Sequence, residues 1–303
     1  MTKYLSRQDL SDAQVLLDKL FTEVTSEEST LAAGTKLGVG GDALLGLRET
    51  RVTFGNPTNE LIRLTKKLFD DVGVELTEIY KRQMRDQFDF YYLTLVVSMQ
   101  PKRGAQFIRL ECSIDFGPKG SNEPIVQAIF PKSEWKEVLS WGGGMSLALN
   151  GNLEWNIQLQ KPNTIQIENL PEPIRANIAN KNELKAFITV PDYSFKLGRA
   201  EIAATGEGNS TCFWRIEKPD LQEVQTVQFG IIFKVPKNAT SIELTGLAAA
   251  EPNMNWLVAN IRNVFEGLND KLQDLLRCKD EERNGKERLP IGDYEKWIIT
   301  LPG

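Results

Sequence analysis

A chain of 303 residues without one histidine is barred from a large share of known chemistry. Ser-His-Asp and Cys-His catalysis, histidine-bearing zinc sites and histidine-ligated haem are all excluded. So is the side chain most often used for proton transfer near neutral pH. Thiols, carboxylates and aromatic rings remain. Cys112 falls on the inward face of an alternating strand pattern and Cys212 stands beside Trp214 in another, so both read as small core hydrophobes. Cys278, between Arg277 and Lys279, has the one electropositive setting that suits a reactive thiolate. Glu111, Asp115 and Glu123 are the carboxylates nearest one another on a strand and its loop, as an acid/base pair or a divalent-cation site would need. Alternating charges on a wet strand face give the same pattern. Trp135, Trp141, Trp155 and Trp214 lie in or beside β segments, where sugar- or base-stacking platforms occur, and where core packing places tryptophans as well. No aromatic-and-basic cluster of the single-strand-binding kind accompanies them. The only Gly-Lys pair, Gly285-Lys286, is followed by Glu287, so no P-loop is present, and the Gly38/Gly40 pattern meets Ala43 where a third glycine belongs. The expectation is no catalytic residue, no cofactor and no metal.

The elements that would carry these residues begin with an amphipathic helix. Ser11 and Gln14 resemble a capping box, and Ala13, Leu16, Leu17, Leu20, Phe21 and Val24 recur at helical spacing. Residues 31–55 are rich in Gly, Ala, Leu and Val, and read as a loop with short strands or as a segment able to rearrange. Asn56-Pro57 signals a helix start, with Leu61, Leu64, Leu68 and Phe69 opening a stripe that runs to Met84. Phe88 to Val97 is apolar or aromatic on both faces, which predicts a strand covered on both sides. Phe107 to Phe116 alternates strictly, with Ile108, Leu110, Cys112, Ile114 and Phe116 on one face. Residues 88–116 therefore read as a long hairpin turned at Pro101-Lys102-Arg103-Gly104.

Farther on, Ile125 to Phe130 predicts a strand, Ser133 to Leu139 a short helix, and Asn150-Gly151 a tight hairpin between Met145–Leu149 and Leu153–Leu159. Val224 to Val235 is the strongest later strand, returning through Ile242, Leu244 and Leu247. Leu257 to Leu276 keeps helical spacing and Tyr294 to Leu301 is apolar enough to dock as a strand. The prolines at 162, 171 and 173 suggest a boundary. The expected fold is α+β, antiparallel sheets with flanking amphipathic helices, with an α+β unit over residues 1–161 and a β-sandwich-like unit over 162–303, or one continuous unit.

With 41% hydrophobic and 25% charged residues and a net charge of −5, the chain has the balance of a soluble globular protein and lacks the basic footprint of a nucleic-acid binder. No apolar run reaches the length of a signal core or a membrane span, and three widely spaced cysteines fit a reducing cytosol. The leading functional expectation is a non-enzymatic intracellular binding or assembly protein, with another protein or a second copy of the chain as partner. Leu16, Leu20, Trp135, Trp141, Leu268, Leu272 and Trp297 form its candidate interaction surface. The alternative is a membrane-acting, pore-forming or lipid-binding effector using the glycine-rich segment 31–55. A carboxylate- or metal-dependent enzyme is third.

Overall fold

A computed structural model describes residues 4–31, 39–67, 78–131, 137–141, 145–149, 153–155, 200–262 and 288–302. Helices α1 (Arg7–Leu31) and α2 (Val39–Glu49) precede strands β1 (Arg51–Phe54) and β2 (Leu61–Leu64), with one 3-10 turn (Pro57–Glu60) between the strands. Then come α3 (Glu78–Asp86), β3 (Phe88–Gln100), β4 (Phe107–Gly117), β5 (Ile125–Phe130), β6 (Glu137–Trp141), β7 (Met145–Leu149) and β8 (Leu153–Trp155). The later elements are β9 (Glu201–Thr205), β10 (Thr211–Glu217), β11 (Thr226–Pro236), β12 (Ser241–Pro252), α4 (Met254–Arg262) and β13 (Ile291–Thr300). The α+β class with antiparallel sheets is as expected.

The hairpin expected over 88–116 is an arch. β3 lies in one sheet, ordered β1-β3-β11-β5 with β2 also on β3, and β4 lies in another, ordered β13-β12-β4-β10-β9. β11 and β12 repeat this, leaving Pro236 in the first sheet and entering the second at Ser241. The two arches stack, β3 on β11 and β4 on β12, and their inward residues meet across the gap. Phe116 and Phe233 are 4.8 Å apart, and Trp214 and Phe229 are 4.9 Å apart. Burying side chains of this size is worth about 1.5–3 kcal/mol each, so the sheets are held by their shared core. Each five-stranded sheet takes strands from both sides of residue 161.

β3 is covered on both faces as its composition requires: Leu93, Leu95 and Val97 face the other sheet, while Phe90 and Tyr92 on the opposite face are also buried. Tyr80 of α3 meets Phe90 edge-on at 5.7 Å. Burial pushes the Tyr92 hydroxyl up to about 12.

Three helical expectations are corrected. The capping box of α1 is Ser6 with Asp9: the Asp9 N–H donates to Ser6 Oγ at 3.2 Å and the Ser6 N–H to Asp9 Oδ2 at 2.8 Å, so the helix starts one turn before Ser11. Asn56 caps as expected, its Oδ1 accepting from the Thr58 N–H at 3.0 Å, but the helix ends after one turn. Residues 61–64 pair instead with β3, where Arg63 donates to Asp89 at 2.9 Å; sheet pairing overrides helical spacing. Glu137 to Leu139 is strand, paired to β7, where a helix was expected.

Segment 39–55 is likewise no loop. α2 buries Ala43, Leu44 and Leu47 against α1 and α4, where Leu17, Leu20, Val24, Leu257 and Ile261 are also buried. Arg48 pairs with Asp18 at 2.8 Å and lies 4.3 Å from the Phe21 ring centroid. The buried Thr50 hydroxyl donates to the Gly46 carbonyl at 2.7 Å and accepts from the Lys102 N–H at 3.3 Å. That bond ties the end of α2 to the first arch.

Candidate functional site

Between β5 and β9, strands β6, β7 and β8 form a three-stranded sheet that, among the described residues, joins neither five-stranded sheet. The register pairs Leu139 with Leu147 and Trp141 with Met145, and Leu147 with Trp155 and Leu149 with Leu153. Directly opposed residues share a face of the pleat. One face therefore carries the positions of Leu139, Trp141, Met145, Leu147, Leu149, Leu153 and Trp155, with Glu137 at its end. The other carries Val138, Ser140, Ser146, Ala148 and Glu154. The pairing of Met145–Leu149 with the strand that begins at Leu153 is as the sequence predicted over Leu153–Trp155; residues 150–152 and 156–159 lie outside the described residues.

The outer face of the second sheet carries a network of charges. Register places Arg215 and Ala249 on either side of Glu111, and Glu217 and Glu251 on either side of Arg109. Arg215 Nε donates to Glu111 Oε1 at 2.7 Å, and Arg109 reaches Glu217 at 2.9 Å and Glu251 at 2.7 Å. Arg288, just before β13, bonds both Glu251 and Glu111, the latter at 2.8 Å. Burial works against the Arg288 charge, but Glu251 and Glu111 outweigh it and hold the guanidinium above its ordinary value. Glu111 is 1% exposed. The three guanidinium groups and three carboxylates of this network balance one another.

Asp115 and Glu123, grouped with Glu111 in the sequence reading, are elsewhere engaged. Asp115 accepts from Lys119 at 2.7 Å and from the Thr211 hydroxyl at 2.6 Å. Glu123 pairs with Lys119 at 3.4 Å, and a hydrogen bond with Ser210 is the main cause of its lowered proton affinity. Among the described residues no group of three or more acidic or cysteine side chains is placed to hold a metal.

Burial raises the proton affinity of both the Cys112 and Cys212 thiols, as a core position demands. Iodoacetamide treatment of the native protein, followed by digestion and mass spectrometry, is expected to leave both unmodified until denaturant is added. Cys278 lies outside the described residues.

Of the expected interaction surface, Leu20 is fully buried and belongs to the core. Leu16 is half-buried against that core. Trp141 takes its place on β6, and Trp135, Leu268 and Leu272 lie outside the described residues. Trp214 is buried, with its indole N–H donating to the Pro131 carbonyl at 3.1 Å, so it is no ligand platform. Trp297, on β13, meets Phe54 of β1 edge-on at 5.3 Å, and both line a pocket that the sequence did not reveal. Phe54 and Trp297 are 243 positions apart, and no local pattern links them.

No family model and no curated protein matches the chain. Among solved structures it is similar to the Clostridium perfringens delta-toxin, at 10% identity and a TM-score of 0.27, over 67% of this chain and 83% of that one. It is similar to a structure described as a pore forming protein, at 5% identity and a TM-score of 0.29, over 82% and 89%. It is also similar to the Clostridium perfringens NetB toxin in the membrane inserted form, at 7% identity and a TM-score of 0.25, over 82% and 95%. These neighbours are toxins and a pore former, where the sequence led with a non-enzymatic intracellular binding or assembly protein; that leading expectation is corrected and is not carried further.

Proposed function

We propose that the protein acts on membranes through the meander of β6, β7 and β8. The observation that carries this reading is the register, which collects seven apolar positions on one face and small or polar ones, apart from Val138, on the other. The segment first considered for this role, residues 31–55, is, where described, a helix and strand with Ala43, Leu44, Leu47 and Val52 in the core. The five-residue strands β6 and β7 extend only about 17 Å at roughly 3.4 Å per residue. A hydrocarbon core of about 30 Å takes strands of roughly 9–11 residues. The described strands therefore suit entry into the interfacial zone, where tryptophans such as Trp141 and Trp155 are favoured.

Co-sedimentation with phosphatidylcholine vesicles, and release of trapped calcein from them, tests this. Leu139→Arg with Leu147→Arg puts two cations on opposed positions of the apolar face. The pair is expected to lower vesicle binding and leakage by about tenfold or more while leaving thermal unfolding of the two-sheet body unchanged. Wild-type protein that neither binds nor permeabilises vesicles, or a double variant as active as wild type, would end the proposal.

A further inference from the structure

Phe54, Asn56 and Thr58, from the end of β1 and the turn that follows, face Glu295, Trp297 and Ile298 of β13 across an open pocket of about 460 Å³. The volume lies within the roughly 300–1,000 Å³ of small-molecule sites. Its aromatic floor depends on a glycine in mid-strand. A Cβ on Gly246 would stand 2.9 Å from Trp297 Cζ3 and 3.0 Å from Phe54 Cζ, so only glycine lets the two rings settle against β12. The floor is also anchored from behind, where the Phe54 N–H donates to Asp293 Oδ2 at 3.3 Å.

We propose that this pocket binds a pyranose ring of a glycan. A sugar has one face of C–H groups and a rim of hydroxyls, and the pocket offers a counterpart to each. Trp297 supplies an aromatic surface for the C–H face. The Asn56 side chain spends its carbonyl oxygen on the Thr58 N–H, which leaves its amide N–H groups to donate. The Thr58 hydroxyl and the exposed Glu295 carboxylate complete the polar rim. Lys296 also lines the pocket, its ammonium 5.9 Å from the Tyr294 ring centroid, and its charge balances that of Glu295, so the lining carries no net charge to favour an anionic ligand. A quaternary ammonium could use the aromatic surface and Glu295, but it would strip water from Asn56 and Thr58 without replacing their hydrogen bonds, a loss that a sugar avoids. The proposal does not depend on the membrane reading.

Calorimetric titration of the whole protein with methyl α- and β-pyranosides of glucose, galactose, mannose and N-acetylglucosamine, with choline chloride alongside, tests it. At least one glycoside is expected to saturate with a millimolar Kd, and choline is not. Glu295→Ala, at an exposed position, is expected to weaken that glycoside at least about tenfold with unchanged unfolding, and Trp297→Ala to abolish binding. The Leu139→Arg/Leu147→Arg protein should bind it as wild type does, which separates this site from the meander. Vesicles carrying a glycolipid with the same terminal sugar distinguish the sources. Capture that the free glycoside reverses assigns the site to a membrane headgroup, whereas glycoside binding without capture assigns it to soluble glycan; either outcome supports the pocket. Saturation by no glycoside, saturation by choline alone, or wild-type titration of Glu295→Ala would overturn the proposal.

Discussion

Replacing Glu111 by alanine is expected to cost about 3–5 kcal/mol of unfolding free energy, because it strands charges that are already withdrawn from water. Glu111 is 1% exposed and accepts from Arg215 at 2.7 Å while pairing with Arg288 at 2.8 Å. Without it Arg215 loses its carboxylate, and Arg288 keeps only Glu251. Urea denaturation monitored by tryptophan fluorescence measures the loss. The physical cause is checked by a double-mutant cycle with Arg215→Ala, which removes one stranded cation. The double variant is expected to be less destabilised than the two single losses added together. Strict additivity would mean that the cost came from packing and not from charge.

Gly206→Ala is expected to destabilise by about 3 kcal/mol or more, since dihedral strain and a backbone collision coincide there. Gly206 has φ +136, and a Cβ on it would lie 2.5 Å from Cys212 Cα and 2.6 Å from the Thr211 carbonyl. The turn it opens joins β9 to β10 and also docks on the other sheet, with the Val126 N–H donating to the Asn209 carbonyl at 2.9 Å and the Gly208 N–H to the Val126 carbonyl at 2.8 Å. Shifting the turn would therefore disturb both sheets. Gly208→Ala is the control: φ is +81 but nothing lies within 4 Å of the added carbon, so only strain of about 1 kcal/mol is expected. Equal urea midpoints for the two variants would show that the collision at Gly206 relaxes freely.

Much of the strand pattern was legible because alternation is local. Ile108 to Phe116 displays its inward face without reference to any other residue, and the doubly apolar run from Phe88 predicted a strand covered on both sides. Helix ends were less legible. Ser11-Gln14 and Ser6-Asp9 are both plausible boxes in a string of letters, and only the bonds at Ser6 decide between them. At Asn56 the cap was real, but the residues after it gained more from pairing with β3 than from continuing a helix. The meander was legible in part, since Met145 to Leu149 and the strand from Leu153 were read as a pair before their register was known.

What this sequence determined by itself is the set of faces: which residues of each strand go inward, and, through the absence of histidine, which chemistries are closed. Partnership was decided only in three dimensions. An arch and a hairpin have the same alternation and the same turn residues, and they differ only in whether the return strand bonds its predecessor or faces it across a core. The stacking of β3 on β11 and of β4 on β12 made that choice. The same assembly set Arg288 against Glu111 and Trp297 against Phe54, pairs separated by 177 and 243 positions, because opposition across a sheet or along its edge leaves no periodic trace in the chain.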